Sequence, residues 1–155
     1  TYLSLALDKP ANDIQGMVIG GHGDTTMIPL TRLASYNGVP VSQFLSQAEL
    51  DKVAADTMVG GATLTALLGT SAWYAPGAAV SVMVQAIACD QKKMIPCSLM
   101  LDGEYGQSDI CLGVPAIIGA NGVEKIVEIA LTDAEKEKFS TAAAAVREVN
   151  GDLKF

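Results

Sequence analysis

Charged residues are scarce in this 155-residue chain, and one long segment contains none. Asp, Glu, Lys and Arg make up 17% of the sequence, against about 25% in an average soluble domain. Residues 57–89 include no Asp, Glu, Lys, Arg or His. Gly60, Gly61, Gly69 and Pro76 interrupt this segment, so it lacks the roughly 20 predominantly apolar residues of a transmembrane helix. We therefore expect no membrane partner, and two helices separated by a turn at Gly69.

Basic residues are also few, since 10 Lys and Arg face 17 Asp and Glu, which gives a net charge of −7. A surface of this sign repels phosphates, so nucleic acid is not an expected partner. A small anionic ligand remains compatible with this balance, because one buried arginine can bind it whatever the overall charge.

Cysteines are limited to Cys89, Cys97 and Cys111, an odd number without a CxxC pair. This pattern predicts neither a disulfide framework nor a zinc ribbon. One histidine, Asp24 and scattered thiols form no recognisable metal-ligand set, so no metal site is expected. Reduced thiols favour a cytoplasmic protein.

Half of the residues are hydrophobic, and their spacing predicts one α+β domain with antiparallel strands packed against long helices. Helices are expected over residues 1–8, 47–68 and 75–89, and from a capping box at Thr132 onward. The second long helix is apolar nearly all round, so we expect it to be buried on most sides. Strands are expected over residues 14–19, 27–30, 93–101, 110–118 and 123–131, the last two joined by a type I′ turn at Asn121-Gly122.

The single histidine of the chain, His22, lies in the segment Gly20-Gly21-His22-Gly23-Asp24-Thr25. A lone histidine most often has no special role, but three glycines within four positions leave space for a substrate and a cofactor ring beside the imidazole. We expect Asp24 and Thr25 to brace the turn. A positioned histidine suits proton transfer near neutral pH, so His22 is a candidate general acid and base.

Alternative interpretations of this loop find less support in the residues. A phosphate-binding loop would need G-x-x-x-x-G-K-[ST] or G-x-G-x-x-G, and neither pattern occurs in the chain. A Gly-x-Ser-x-Gly elbow, which would make His22 the base of a hydrolase triad, is also missing. Composition and spacing alone thus predict a proton-transfer histidine without recognisable partners.

Several segments together resemble one known family. The histidine segment, continued through Met27-Ile28-Pro29-Leu30, is similar to the active-site histidine segment of the lactate/malate dehydrogenase family. The other similar segments are Gly69-Thr70-Ser71-Ala72-Trp73-Tyr74-Ala75-Pro76, Gly103-Glu104-Tyr105-Gly106, Gly113-Val114-Pro115-Ala116 and Gly119-Ala120-Asn121-Gly122-Val123. The resemblance extends over residues 1–155 and is to the family's C-terminal, substrate-binding half, which implies that the N-terminal dinucleotide-binding (Rossmann) domain is absent from this chain.

The resemblance implies a definite chemistry. His22 would exchange a proton with the hydroxyl of a 2-hydroxy acid while NAD, bound mainly by the missing domain, exchanges a hydride with the same carbon. The family's orienting aspartate and substrate-binding arginine would lie just before Thr1. Ser71 and Ala72 would line the substrate pocket, although a helix start packed inside the domain explains them equally well. No residue of this chain is expected to bind the cofactor beyond its proximity to His22.

The resemblance also favours malate and oxaloacetate as substrates, because Gly21 stands where lactate enzymes of the family usually have an acidic or amide residue. A lactate or other 2-hydroxy acid dehydrogenase, or a noncatalytic oligomerisation module, are the alternatives. One threonine of Asp24-Thr25-Thr26-Met27 is extra relative to the family pattern, and it is expected to alter strand register slightly and not His22. We expect the isolated chain to be inactive and to self-associate, and the complete protein to be a homo-oligomer, a dimer or tetramer.

Overall fold

The computed structural model describes residues 1–153, and within them the chain forms four α-helices and eight β-strands. The helices are α1 (Tyr2–Leu7), α2 (Gln47–Leu68), α3 (Tyr74–Ala88) and α4 (Asp133–Gly151). The strands are β1 (Ile14–Gln15), β2 (Val18–Gly20), β3 (Met27–Pro29), β4 (Ser35–Tyr36), β5 (Val39–Pro40), β6 (Lys93–Asp102), β7 (Ser108–Gly119) and β8 (Gly122–Ile126).

Five strands form the main sheet in the order β3-β2-β7-β6, with β8 also paired to β7. All of these pairs are antiparallel. β6 and β7 form a long hairpin, in which Lys93 pairs with Ile118 and Leu101 with Ile110. Alternate side chains of β7 are buried, as expected for a sheet with one face on a core: Ile110, Leu112, Val114, Ala116 and Ile118. The predicted α+β class with antiparallel strands is confirmed.

The turn between β7 and β8 differs from the expectation. A type I′ turn at Asn121-Gly122 would need positive φ at both residues, but only Gly122 has one, at 86°. The type I′ prediction is therefore wrong. A register shift between Ile117 and Ile118 marks a bulge that accommodates the turn instead. β8 also ends at Ile126, short of the predicted residue 131.

A second, three-stranded sheet has the order β1-β4-β5. The strand predicted over residues 14–19 is divided between β1 and β2, which belong to different sheets. β4 and β5 are joined at Asn37-Gly38, where both residues have left-handed φ values of 46° and 85°. This two-residue loop has the positive φ angles of a type I′ turn, so the Asn-Gly signature gives that turn here and not at Asn121-Gly122.

Helix α4 packs against the main sheet and completes the principal core. Phe139, Ala142 and Ala143 are at most 2% exposed and contact the cluster that contains Ile19 and Leu112. The predicted capping box is present, because Thr132 accepts a hydrogen bond from Glu135 N and Glu135 accepts one from Thr132 N. These contacts fix the start of α4 beside the sheet.

Glu135 also anchors the start of α4 to the segment after β3. The Arg32 guanidinium donates two hydrogen bonds to Glu135, of 2.8 and 2.9 Å, and a third of 2.7 Å to Ala130 O. These bonds lower the pKa of the Glu135 carboxyl below its usual range. Arg32 therefore joins the segment after β3 to the segment before α4 and to the first turn of α4.

The uncharged segment forms the second half of α2 and all of α3, as predicted, with Gly69 between them. Gly69 ends α2 with a left-handed φ of 68°. The expected burial of α3 is wrong for the single chain: Val80 is 61% and Val84 57% exposed, and only Ala86 of this helix is buried. An all-round apolar pattern indicates that a helix avoids water, but it does not say which molecule covers the helix.

Within residues 1–153, no helix combines the length and the apolar character needed to cross a bilayer.

Candidate functional site

His22 lies in the six-residue loop between β2 and β3, and its side chain is exposed. β2 and β3 pair in regular register, with Gly20 opposite Met27 at the base of the loop. Gly21 N donates a 2.9 Å hydrogen bond to Thr26 O, which continues the strand pairing one step into the loop. The imidazole is thus presented at the tip of a hairpin whose two ends are fixed by backbone hydrogen bonds.

The loop is closed by Thr26 and not by the residues expected to brace it. Thr26 Oγ1 accepts a 2.8 Å hydrogen bond from Gly23 N and donates a 3.2 Å bond to Gly23 O. Thr26 N donates to Gly23 O at 2.9 Å. In the described part of the chain the side-chain hydrogen bonds of this loop are made by Thr26 and none by Asp24 or Thr25, so the expected bracing by those two side chains is not found. The turn begins at Gly23, and only the second threonine points back toward it.

The base of the loop rests on the long strand β7 through two glycines. Gly20 pairs with Gly113 at the single point where β2 meets β7. A Cβ on Gly113 would lie 2.8 Å from Gly20 O, and one on Gly20 would lie 2.4 Å from Thr26 O. Gly20 also has a φ of 93°, which side-chain-bearing residues rarely adopt. The close approach of these backbones therefore requires glycine at both positions.

An open groove of about 540 Å³ lies beside the histidine and is lined by His22, Gly20, Gly21, Cys97, Cys111 and Gly113, among others. The groove brings together the histidine loop and the centre of the β6–β7 hairpin, some 75 to 90 positions later in the sequence. Burial raises the pKa of the Cys97 thiol, so this thiol stays protonated and is a weak nucleophile. In this groove His22 is the side chain suited to proton transfer near neutral pH.

Ser71 and Ala72 lie between α2 and α3, where Ser71 is exposed and Ala72 half-buried. The residues that line the groove at His22 do not include them. Their substrate-binding role stays a prediction. Within the described residues no three His, Cys, Asp or Glu side chains are grouped so that they could hold a metal ion.

Comparison with known proteins decides the family. The sequence model described as "lactate/malate dehydrogenase, alpha/beta C-terminal domain" matches residues 1–152. The chain belongs to this family. The lactate/malate dehydrogenase resemblance of the histidine segment and of the later glycine-rich segments is thereby confirmed.

Curated relatives within the lactate/malate dehydrogenase family carry the name malate dehydrogenase. The protein from Flavobacterium johnsoniae is 74% identical over 99% of this chain and 50% of its own length. The protein from Bacteroides thetaiotaomicron is 65% identical over 99% of this chain and 49% of its own length. The chain therefore spans about half the length of the curated relatives it matches.

Solved structures of the lactate/malate dehydrogenase family have the same fold. Malate dehydrogenase from Aeropyrum pernix superposes with a TM-score of 0.93 at 40% identity, over 99% of this chain and 51% of that one. Lactate dehydrogenase from Eimeria maxima, solved with NADH and oxamate, superposes with a TM-score of 0.91 at 34% identity, over 97% of this chain and 47% of that one. The fold is thus shared by enzymes of both names.

Two residues of the site were not recognisable as such in the sequence. Gly113 lies in the middle of a predicted strand. A glycine there indicates that another backbone approaches closely, but the sequence does not identify which backbone. The extra threonine of Asp24-Thr25-Thr26-Met27 was expected to affect only the strand register, and nothing in the sequence shows that the Thr26 hydroxyl returns to Gly23.

Proposed function

We propose that this chain is the substrate-binding, catalytic half of an NAD-dependent malate dehydrogenase. The observation that carries the proposal is His22, the only histidine of the chain, exposed on a glycine-rich loop beside an open groove. The support from relatives is their name, since chains of 74% and 65% identity are malate dehydrogenases. The N-terminal dinucleotide-binding domain is then supplied by the rest of the longer protein.

His22 acts as the proton acceptor and donor of the reaction. In malate oxidation, the imidazole accepts the proton of the hydroxyl group as the C–H bond at the same carbon breaks. In the reverse direction, the imidazolium returns this proton to the oxygen of oxaloacetate. An imidazole suits both directions near neutral pH, because it can hold and release a proton there.

The residues at this site fit the reacting end of NAD and not the whole cofactor. Gly20, Gly21 and Gly23 leave the imidazole without neighbouring side chains, so that a flat ring and a small acid have room to approach it. The pyrophosphate-binding pattern G-x-G-x-x-G does not occur in the chain. When bound, NAD supplies the hydride-accepting and hydride-donating chemistry, and the chain itself supplies the proton transfer.

Malate is favoured over lactate by the residue before the histidine. A Cβ on Gly21 would lie 2.4 Å from Thr26 Oγ1 and 2.6 Å from Thr26 Cβ. The acidic or amide side chain found there in lactate enzymes therefore does not fit this loop as it is closed by Thr26. Because the family resemblance associates glycine at this position with malate enzymes, the fit of Gly21 against Thr26 supports malate over lactate.

The proposed enzyme is a cytoplasmic homo-oligomer, a dimer or tetramer. Cys89, Cys97 and Cys111 are free thiols, which supports a reducing compartment. Several apolar side chains of α2 and α3 are exposed, among them Leu67 at 80% and Val80 at 61%. Many exposed apolar side chains on two successive helices are consistent with a surface that another subunit or domain covers.

The proposal is tested by restoring the missing half. The chain is fused to the part of the Flavobacterium johnsoniae relative that it does not cover, and NADH oxidation is followed with oxaloacetate or pyruvate. We expect the isolated chain to show no turnover, because it lacks the cofactor domain and the charged groups expected before Thr1. We expect the fusion to reduce oxaloacetate with a higher kcat/KM than pyruvate.

The outcomes separate the alternatives. A fusion that prefers pyruvate makes the chain part of a lactate dehydrogenase. A correctly folded fusion that binds NADH but reduces neither acid supports a noncatalytic oligomerisation module and overturns the proposal. Turnover by the isolated chain contradicts the proposal that the chain needs the cofactor-binding half for activity.

A further inference from the structure

We infer that Thr26 is a positioning residue for His22, and that its hydroxyl holds the loop in the shape that presents the imidazole. The inference rests on the proposed role of His22 as the proton acceptor and donor. Thr26 itself has no place in the proton transfer, and its effect is exerted through the backbone on either side of the histidine.

Hydrogen bonds from Thr26 reach both flanks of His22. On one flank, Thr26 O accepts from Gly21 N at 2.9 Å. On the other, Thr26 Oγ1 accepts from Gly23 N at 2.8 Å and donates to Gly23 O at 3.2 Å. The hydroxyl thus pairs with both backbone polar groups of Gly23, the residue that directly follows the histidine. A threonine or serine hydroxyl can do both at once, because it is both a donor and an acceptor.

Steric contacts make the arrangement selective for glycine before the histidine. The Thr26 side chain fills the space in which a Cβ of Gly21 would lie, at 2.4 Å from Oγ1 and 2.6 Å from Cβ. A Cβ on Gly23 would lie 3.1 Å from the same hydroxyl oxygen. The Thr26 side chain therefore lies close to both glycines that flank the histidine.

The neighbouring threonine provides a matched control. Thr25 is exposed, whereas Thr26 is half-buried. Within the described residues, the Thr25 hydroxyl makes no hydrogen bond, so the same chemical change at Thr25 leaves the loop contacts intact. Any effect of losing a hydroxyl from this turn in general would appear at both positions.

The inference is tested in the fusion described above with Thr26→Val, Thr26→Ala, Thr26→Ser and Thr25→Val. We expect kcat for oxaloacetate to fall about 10- to 100-fold in Thr26→Val and Thr26→Ala, because misplacing a catalytic group by about 1 Å can cost that much. Thr26→Ser keeps the hydroxyl and should stay within about twofold of the unchanged fusion, as should Thr25→Val. Two variants without the hydroxyl are used because a valine methyl would crowd Gly23 N, whereas alanine adds no such contact.

A spectroscopic measurement on the chain itself reads the histidine directly. His22 is the only histidine, so the carbon–proton signals of its imidazole are unambiguous in a spectrum of the 155-residue chain. We expect these signals to shift in Thr26→Ala and to stay in place in Thr26→Ser and Thr25→Val. A purely structural effect of Thr26 on stability would lower the unfolding temperature and leave the imidazole signals of the folded chain unchanged.

The Thr26 variants test the role of the hydroxyl, and the His22→Asn variant separately tests the proposed function. Unchanged kcat and imidazole signals in Thr26→Ala, or equal losses in Thr26→Ser and Thr26→Ala, overturn the role of the Thr26 hydroxyl. The His22→Asn fusion is measured in parallel, and normal activity there overturns the proposed role of His22 whatever the Thr26 variants do. A shift of the imidazole signals in Thr26→Ala with unchanged kcat shows that the hydroxyl orders the loop but contradicts its importance for the reaction.

Discussion

Two regions of this chain are rich in Leu, Val and Ile but expose them very differently. In the main sheet and α4, Leu112 is 1% and Phe139 2% exposed. In α2 and α3, Leu67 is 80% and Val80 61% exposed. The core-facing apolar side chains of the first region are buried within the single chain, whereas many apolar side chains on the second half of α2 and on α3 are exposed. The exposed side chains of the helix pair are the ones that the proposed contact with another subunit or domain would cover.

Some glycines of the two regions also differ in how closely they are packed. In the sheet, Gly113 has no room for a Cβ because Gly20 O would lie 2.8 Å away. In the helix pair, Gly61 and Gly77 have no atom within 4 Å of the corresponding position. The sheet therefore uses glycine for close packing beside the histidine loop, whereas the packing of the single chain does not require glycine at these helical positions.

Two leucine-to-alanine substitutions, one in the sheet and one in α2, compare the packing of the two regions. They are expected to give the largest difference in stability. Leu112→Ala should lower the free energy of unfolding by about 2–5 kcal/mol, because it leaves a cavity in the core. Leu67→Ala should change it by no more than about 0.5 kcal/mol, because this side chain is mostly in water. Urea unfolding of both variants at low protein concentration measures the difference. Equal losses would show that α2 is packed as tightly as the sheet.

A glycine-to-alanine pair tests the packing next to the histidine loop. Gly113→Ala should destabilise the chain by about 1–3 kcal/mol, because the new methyl group overlaps the backbone of Gly20. Gly61→Ala should stabilise it by about 0.5–1 kcal/mol, since alanine loses less conformational freedom in a helix and meets no neighbour. Thermal unfolding of the two variants gives the sign of each change. A stable Gly113→Ala variant would contradict the close contact between β2 and β7.

The ion pair of Arg32 and Glu135 gives a pH-dependent prediction for the well-packed region. Because hydrogen bonds from Arg32 lower the pKa of Glu135, the folded chain binds this proton more weakly than the unfolded chain. The stabilisation is therefore complete above the usual glutamate range near pH 4.3 and is lost as the pH falls through the lowered pKa. Glu135→Gln should cost about 1 kcal/mol at pH 7, and its difference from the unchanged chain should shrink in acid.

Glu137→Gln is the control for this prediction, because Glu137 is an exposed residue of the same helix without an ion pair in residues 1–153. Urea titrations at several pH values between 3 and 7 compare the three proteins. A Glu135→Gln difference that stays constant across this range would show that the charge of Glu135 adds nothing to stability.

Matched valine substitutions test whether the exposed apolar side chains of α3 mediate self-association. Of the paired substitutions, they are expected to alter stability least. Val80→Glu on α3 and Val149→Glu on α4 each add one negative charge at a position more than 60% exposed. Neither should alter the free energy of unfolding by more than about 0.5 kcal/mol. We expect the unchanged chain and Val149→Glu to self-associate by light scattering, and Val80→Glu to associate less. An unchanged chain that is monomeric at high concentration contradicts this assignment.

Local sequence signals predicted a large part of the fold. The bounds of α2 are those predicted, because Ser46 and Glu49 form its capping box and Gly69 its left-handed end. The strands of the β6–β7 hairpin were also predicted, over residues 93–101 and 110–118, because these segments are rich in Ile, Val, Leu and Met. The burial of α3 could not be predicted, because it depends on whether another molecule covers the helix. The type I′ turn predicted at Asn121-Gly122 is absent, because only Gly122 has a positive φ there.

The candidate site was predicted only in part. The glycine-rich segment marked His22, since that signal is local and matches a family pattern. The groove beside it contains Cys97, Cys111 and Gly113, which reach the loop through pairing between strands distant in sequence. The role of Thr26 depends on the path of a single turn, which residue types alone do not specify.

The central claim is that His22 exchanges the substrate proton, and the rate of oxaloacetate reduction by the fusion carrying His22→Asn tests it most directly. Asparagine keeps a polar side chain of similar reach but cannot hold and release a proton near pH 7. We predict a rate of oxaloacetate reduction about 10² to 10⁴ times lower than that of the unchanged fusion, with NADH binding retained. A rate within a few-fold of the unchanged fusion would contradict it.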